Sequence, residues 1–131
     1  MSRGPLSPAS GSKAVFPCSL CANTAAVVEI LLPDDPQGLS KDHSTICITG
    51  FIGEERVVLT ESAEAALRAC LATADSAALY SLEQLWAPFY CPACARVYCV
   101  KHWTVLPEYD QEFFDHSHGY CPEGHRRLIE D

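Results

Sequence analysis

The sequence predicts a small α+β domain whose modest core is supplemented by metal sites. Short runs of β-branched and aliphatic residues predict a small antiparallel sheet, and apolar residues at helical spacing predict one or two helices. Four closely spaced Cys/His pairs predict metal ligation. The 131 residues suffice for one domain, and eight cysteines are far more than average usage. Metal ions are therefore expected to supplement a core of limited size.

The composition argues against several classes of protein. A formal net charge of −8 disfavours binding to phosphate backbones. No apolar run approaches the roughly 18 residues of a membrane span, and the N-terminus lacks the apolar segment of a secretory signal. We therefore expect a cytoplasmic protein with no membrane segment, whose partner is another protein, of basic character.

The chain divides into a tail and one domain. Residues 1–13 are rich in Ser, Gly and Pro, which predicts a disordered tail, either native or an expression remnant. Residues 14–131 are expected to form a single zinc-stapled domain. Within it, residues 25–88 form an α+β insert between the first Cys pair and a C-terminal zinc-binding region at residues 89–131.

Three strands are expected at the start of the insert. Ala25–Leu32 is rich in aliphatic and β-branched residues and ends at Pro33. Thr45–Ile52 and Arg56–Leu59 have the same character. The short turn Gly53–Glu55 between them predicts a β-hairpin.

One or two helices are expected after the hairpin. Thr60 can cap the N-terminus of the first helix, in which Leu67, Cys70 and Leu71 lie on one apolar face. A break near Ala74 is compatible with the pattern. Ser81–Gln84 has the capping-box pattern, so a short second helix is expected to begin there and to end before the next proline.

Four ligand pairs are expected to hold two structural zinc ions. Each pair brings two ligand atoms to one ion through a tight turn, and eight ligands complete two tetrahedral sites. The pairs are the first pair (Cys18 and Cys21), the second pair (Cys91 and Cys94), the third pair (Cys99 and His102) and the fourth pair (Cys121 and His125).

Two arrangements of these pairs are open. In a sequential arrangement the first and second pairs share one ion, and the third and fourth pairs share the other. In a cross-brace the first pair shares an ion with the third, and the second with the fourth. Both keep the closely spaced second and third pairs on different ions; we favour the cross-brace. His116 or His118 could replace His125, which is preferred because a Pro-x-Gly turn joins it to Cys121.

The C-terminal third of the chain, with the first pair, carries a resemblance to known zinc proteins. Cys91–Cys94 followed by Cys99–His102 resembles the middle of treble-clef and cross-brace fingers of the RING, B-box and FYVE kind. The ending Tyr120–Arg127 is similar to small uncharacterised bacterial zinc-binding proteins that end in C-P-x-G-H-R-R. The resemblance implies a treble-clef or cross-brace fold around two zinc ions. However, 69 residues separate Cys21 from Cys91, far more than in a RING finger.

The sequence favours a protein without enzymatic activity. The zinc-deaminase, H-E-x-x-H and phosphate-loop motifs are absent from the sequence. Eight ligands for two ions leave no open coordination position of the kind that catalytic zinc needs. Cys47 and Cys70 fit buried core positions, and Asp110 and Asp115 fit a solvated acidic loop.

The expected function is therefore a non-enzymatic zinc-binding adaptor that mediates a protein–protein interaction. Its C-terminal aromatics either pack on the metal core or form a partner surface; they are Trp103, Tyr109, Phe113, Phe114 and Tyr120. One alternative is a nucleic-acid-binding zinc finger, which would use Arg96, Lys101, Arg126 and Arg127. The others are a ubiquitin-ligase-like regulator, from the resemblance, and an antitoxin-like inhibitor of a basic effector.

Overall fold

The protein is a small α+β structure with antiparallel sheets, as the sequence predicts. The computed structural model describes residues 12–110 and 113–130. The described residues form three antiparallel sheets and two short α-helices. Most of the predicted tail, residues 1–11, lies outside the described residues, whereas Lys13 already begins a strand.

The N-terminal sheet has four strands in the order β1-β2-β3-β4. They are β1 (Lys13–Pro17), β2 (Thr24–Leu31), β3 (Thr45–Thr49) and β4 (Glu54–Val58). Successive residues of a strand face opposite sides of a sheet. In β2, Val28 and Ile30 are buried, whereas Val27, Glu29 and Leu31 on the other side are half-buried. The predicted strands and hairpin are therefore present, on one continuous antiparallel sheet.

The strand boundaries differ from the prediction. β2 is displaced by one residue, and β4 begins at Glu54, inside the predicted turn Gly53–Glu55. The predicted strand Thr45–Ile52 stops at Thr49 because the turn lies earlier than expected, with positive φ at Gly50 (93°) and Gly53 (62°). Glycine adopts these left-handed angles without steric strain. β1 was not predicted, since it is short and ends at a proline at the edge of the sheet.

The first helix, α1 (Glu61–Ala72), matches the prediction. The Thr60 side chain accepts a hydrogen bond from the backbone N–H of Ala63 at 3.1 Å, which caps the N-terminus. Leu67 and Leu71 are buried on its inner face. Neither helix of the described chain is long and apolar enough to span a membrane.

The predicted start of the second helix is wrong. α2 spans Ser76–Leu82, and its cap is Asp75, whose side chain accepts from the N–H of Ala78 at 3.0 Å. The capping-box residue Ser81 therefore lies in the last turn of α2 rather than at its start. Glu83 instead caps a 3₁₀ turn over Gln84–Trp86. Asp75 rather than Ser81 caps α2 because it follows the break between the helices, where the first backbone N–H groups of α2 need an acceptor.

The C-terminal region contains two sheets that the sequence did not predict. β5 (Tyr90–Cys91) and β6 (Arg96–Val97) form a short hairpin. β7 (Thr104–Asp110), β8 (Phe113–Tyr120) and β9 (Arg126–Glu130) form a three-stranded sheet in that order. These strands include Pro, Gly and acidic residues of low intrinsic β-propensity, and their buried residues lie in the second half of β8 and on β9.

An aromatic cluster joins the two ends of the chain. Phe16 of β1 lies against Phe89, with ring centroids 5.0 Å apart. Phe51 packs edge-on against both Phe89 and Trp103. Trp103 in turn packs on Tyr98 and donates its indole N–H to the Tyr98 carbonyl at 3.0 Å. This cluster forms much of the core between the N-terminal sheet and the C-terminal region.

Position 119 in β8 requires glycine because side chains of the aromatic cluster and of β9 pack closely against it. A Cβ atom there would lie 3.0 Å from Cγ1 of Ile129 and 3.2 Å from Cε3 of Trp103. Two neighbouring side chains therefore occupy the space that any larger residue needs. The C-terminal sheet consequently lies directly against the aromatic cluster.

Arg127 of β9 is a buried structural residue. Its guanidinium donates to the carbonyls of Gln84, Ala87 and Tyr90 at 2.8–3.0 Å. It also lies 5.1 Å from the ring centroid of Tyr80. These carbonyls belong to the segment after α2, so Arg127 joins that segment to the C-terminal sheet.

We predict that Arg127→Gln lowers the free energy of unfolding by about 2–4 kcal/mol, because buried carbonyls lose charged donors. The matched control Arg126→Gln changes an exposed neighbour on the same strand. It should lower stability by less than about 1 kcal/mol. Urea denaturation of both variants measures the difference. Equal destabilisation by the two changes would contradict the structural role of Arg127.

Candidate metal centre

The four Cys/His pairs come together as two groups of four. The first tetrad consists of the first and third pairs, and the second tetrad consists of the second and fourth pairs. Within each tetrad the ligand atoms all lie within 4.8 Å of one another. This grouping is the cross-brace alternative; the sequential one is not found among the described residues.

The first tetrad joins the start of the chain to the segment between β6 and β7. The first pair lies in the turn after β1, and Cys99 immediately precedes a 3₁₀ turn that ends at His102. Cys99 Sγ lies 3.6 Å from Cys21 Sγ and 4.0 Å from His102 Nδ1. The backbone N–H of Ser19 donates to the carbonyl of Val97 at 2.8 Å, which attaches the turn directly to β6.

The second tetrad lies between the β5–β6 hairpin and the β8–β9 turn. His125 presents Nδ1 to the three sulfurs, 3.7 Å from Cys91, 3.3 Å from Cys94 and 3.4 Å from Cys121. Cys94 Sγ and Cys121 Sγ are 3.7 Å apart. Gly124, with φ of 88°, makes the tight turn that brings His125 back beside Cys121.

The turns of the first and second pairs share an unusual backbone conformation. The residue after each pair is an alanine with positive φ, 63° at Ala22 and 55° at Ala95. Each alanine N–H donates to the carbonyl of the first cysteine of its pair, Cys18 at 3.0 Å and Cys91 at 2.8 Å. Left-handed alanine is strained by about 1–2 kcal/mol, so each turn is held by interactions that outweigh that strain.

Backbone N–H groups also point at the sulfurs. Leu20 N–H donates to Cys18 Sγ, and Cys94 N–H donates to Cys91 Sγ, both at 3.4 Å. Glu123 N–H donates to Cys121 Sγ at 3.3 Å. Such donors stabilise the thiolate, which is the form that binds a metal ion.

The thiol pKa values follow from this balance of burial and hydrogen bonding. Burial raises the pKa of Cys18 and Cys121, but backbone N–H donors, foremost those of Cys99 and His125 respectively, outweigh it and lower both pKa values to about 7. At Cys91, burial dominates and raises the pKa to about 11. In the first tetrad, burial raises the pKa of Cys99. Each tetrad therefore combines a thiol that ionises readily with one that ionises fully only beside a cation.

The donor set and its dimensions fit a tetrahedral metal ion. Zn–S bonds of about 2.3 Å and Zn–N bonds of about 2.0 Å imply S···S edges of about 3.8 Å and S···N edges of about 3.5 Å. The six edges given above run from 3.3 to 4.0 Å. Two Cys₃His groups that can each hold a metal ion are therefore present.

Comparison with known protein families places the chain. The sequence model of the family described as Domain of unknown function (DUF8328) matches residues 9–131. The chain belongs to the DUF8328 family. No curated protein matches it, and no solved structure does. The matched range includes all eight residues of the tetrads.

Tyr98 lies beside the second tetrad of this DUF8328 chain, on the segment that runs from the second pair to the third. It is almost fully buried. The neighbouring thiol of Cys94, together with burial, raises the pKa of Tyr98 to about 12. Its hydroxyl is therefore protonated at any physiological pH. Sequence reasoning missed this residue, since a tyrosine between ligand pairs resembles any other core aromatic.

The remaining candidates lie outside the tetrads. His116 and His118 lie on β8, and His118 Nδ1 accepts from Arg126 at 3.3 Å rather than joining a cysteine. Cys47 and Cys70 are buried in the core, as predicted.

We predict that Cys121→Ser lowers the metal content from two ions to one per chain, because the second tetrad keeps only three of its four ligands. Cys70→Ser is the matched control, since this buried cysteine belongs to neither tetrad. Native mass spectrometry with elemental analysis measures the content. Retention of two ions by Cys121→Ser would contradict the assignment of the second tetrad.

We also predict that His125→Ala loses the metal of the second tetrad, whereas His118→Ala retains both ions. Only the first of these histidines faces the sulfurs. The same mass measurement distinguishes the two variants. The opposite pattern would make His118 the ligand.

Proposed function

We propose that the protein is a non-enzymatic adaptor, built on two structural zinc ions, that binds another protein. The observation that supports it best is the closure of both tetrads. Each offers four protein ligands, two of them buried cysteines. Catalytic zinc keeps a position open for water or substrate, whereas structural zinc has four protein ligands.

Zinc is the metal that these ligands favour. Three thiolates and one imidazole in a tetrahedral arrangement suit zinc, and the cross-brace resemblance implies the same ion. The cysteines of the described residues are all unpaired, which suits a reducing compartment such as the cytoplasm. Zinc binding and folding are expected to be coupled, because one ion joins chain segments about 80 residues apart.

The proposed partner surface is an aromatic patch on the β7–β8 hairpin. We define the aromatic patch as Tyr109 and Phe114, which are 64% and 48% exposed. They are directly paired across the strands, with ring centroids 6.2 Å apart in an edge-on arrangement. Exposed paired aromatics are uncommon on monomers and are typical of interface anchors. Trp103, by contrast, is buried in the core.

The charge around the aromatic patch favours a basic partner. Glu108 and Asp115 are next to it in sequence, one on each strand, and their side chains are about half exposed. Acidic side chains around an apolar centre match a partner with an apolar pocket and a basic rim. The net charge of −8 also attracts a basic partner over longer distances.

One of the four cations that a nucleic-acid-binding surface would use is buried. Arg127 is buried and its guanidinium binds backbone carbonyls, so it is not available to phosphates. The acidic net charge further disfavours a polyanion. A protein partner therefore has the better support.

The proposal is tested by placing the photo-crosslinking residue p-benzoylphenylalanine at position 114 and irradiating cells that produce the protein. The matched control carries it at Leu39, an equally exposed apolar residue on the β2–β3 loop. We expect one discrete protein adduct from position 114 and none from position 39. With the purified partner, Tyr109→Ser should weaken binding at least tenfold and Leu39→Ser less than twofold.

Three outcomes would contradict the proposal. Equal crosslinking from both positions would show that position 114 has no specific partner. An adduct with RNA or DNA would favour the nucleic-acid alternative. Binding that is unchanged in Tyr109→Ser would place the interface elsewhere.

A further inference from the structure

A groove on the C-terminal sheet carries a cluster of nitrogen donors that the tetrads do not use. Its volume is about 420 Å³, and it runs along β8 and β9. Five residues line it: His116, His118, Arg126, Arg127 and Leu128. In a chain with a net charge of −8, this lining contains no carboxylate.

The hydrogen bond between Arg126 and His118 orients both side chains. Arg126 can only donate, so His118 Nδ1, 3.3 Å away, must be the acceptor. The proton of the neutral His118 ring is then on Nε2, which has no partner among the described residues. His118 is itself only 7% exposed, so its ring is held in place. Arg126 is exposed and has further N–H groups to offer.

His116 is oriented by a carboxylate on its outer side. Its Nδ1 lies 2.7 Å from Asp115 Oδ2. That contact leaves Nε2 for a ligand. His116 and His118 are two positions apart on one strand, with ring centroids 6.0 Å apart, so both rings lie on one face.

The two nearby carboxylates support the imidazoles rather than filling the groove. Glu108 Oε2 lies 3.9 Å from His118 Nδ1 and Asp115 bonds to His116, yet neither residue lines the groove. With Nδ1 of His118 accepting from Arg126, His118 carries its proton on Nε2; with Nδ1–H of His116 donating to Asp115, His116 presents Nε2 as an acceptor. The groove therefore offers a guanidinium, one ring N–H donor and one ring acceptor to one ligand.

We propose that this groove binds the phosphate group of a small phosphate monoester. A guanidinium binds two phosphate oxygens through its planar fork, His118 Nε2–H can donate to a third, and His116 Nε2 can accept from the hydroxyl of a singly protonated phosphate group. The groove is larger than one phosphate ion, and half-buried Leu128 supplies apolar surface for the organic part of the ligand. None of the groove residues is a tetrad ligand or belongs to the aromatic patch, so phosphate binding does not depend on the proposed adaptor function.

Titration of the purified full-length protein tests the proposal. The probes are inorganic phosphate and glycerol 3-phosphate, with acetate at equal ionic strength as the reference. Imidazole signals in ¹H–¹⁵N NMR spectra report binding, and metal content is checked after each titration. We expect saturable shifts of the His116 and His118 signals with both phosphate probes and no saturation with acetate.

Variants show whether the groove is responsible. Arg126→Gln should weaken binding of both phosphate probes at least tenfold, and His116→Gln at least threefold. Lys41→Gln removes the same charge from an exposed loop and should change binding less than twofold. The His116 variant provides an independent test from the other strand of the groove.

Specific outcomes would overturn the proposal. Equal responses to acetate and phosphate would show general ionic effects only. Saturation by inorganic phosphate but not by glycerol 3-phosphate would exclude the monoester. Unchanged phosphate binding in either groove variant would place the anion elsewhere on the protein.

Discussion

The approach of the first pair to the third pair is the constraint on which the rest of the structure depends. It brings the sulfurs of Cys18 and Cys99 within 4.8 Å of each other, so that both can bind one ion. It also places β1 beside the segment that leads into the C-terminal sheet. Phe16 and Phe89 can then share one core. A cross-link that closes a loop of this length removes about 4–5 kcal/mol of chain entropy from the unfolded state, by analogy with a disulfide. A core this small benefits from such a constraint.

The features that the sequence predicted depend on residues that are only a few positions apart. Ligand pairs are recognised by spacing alone, and the eight residues that the spacing selected do meet as two tetrads. β2, β3 and α1 were also predicted, because aliphatic alternation and a threonine cap operate within a few residues. The start of α2 was missed because Asp75 and Ser81 are both competent caps, and only the position of the preceding break decides between them.

Other features depend on contacts between distant residues. The left-handed conformation of Ala22 and Ala95 has no sequence signal, since alanine normally avoids it. Arg127 resembled a surface cation, and its true environment is made by carbonyls about 40 residues away along the chain. β8 packs against Trp103 at Gly119, a contact that no local pattern indicates. In each case the decisive partner is far away in sequence.

The interleaved order of the pairs has a consequence for synthesis on the ribosome. The first pair is made early, but its partners follow only when residue 102 has been added, 81 residues after Cys21. At about 5–20 residues per second this interval lasts about 4–16 s. The second tetrad is completed later still, with His125. During this time the two thiols of the first pair have no native partner, so a metal ion could acquire its four ligands only late in synthesis.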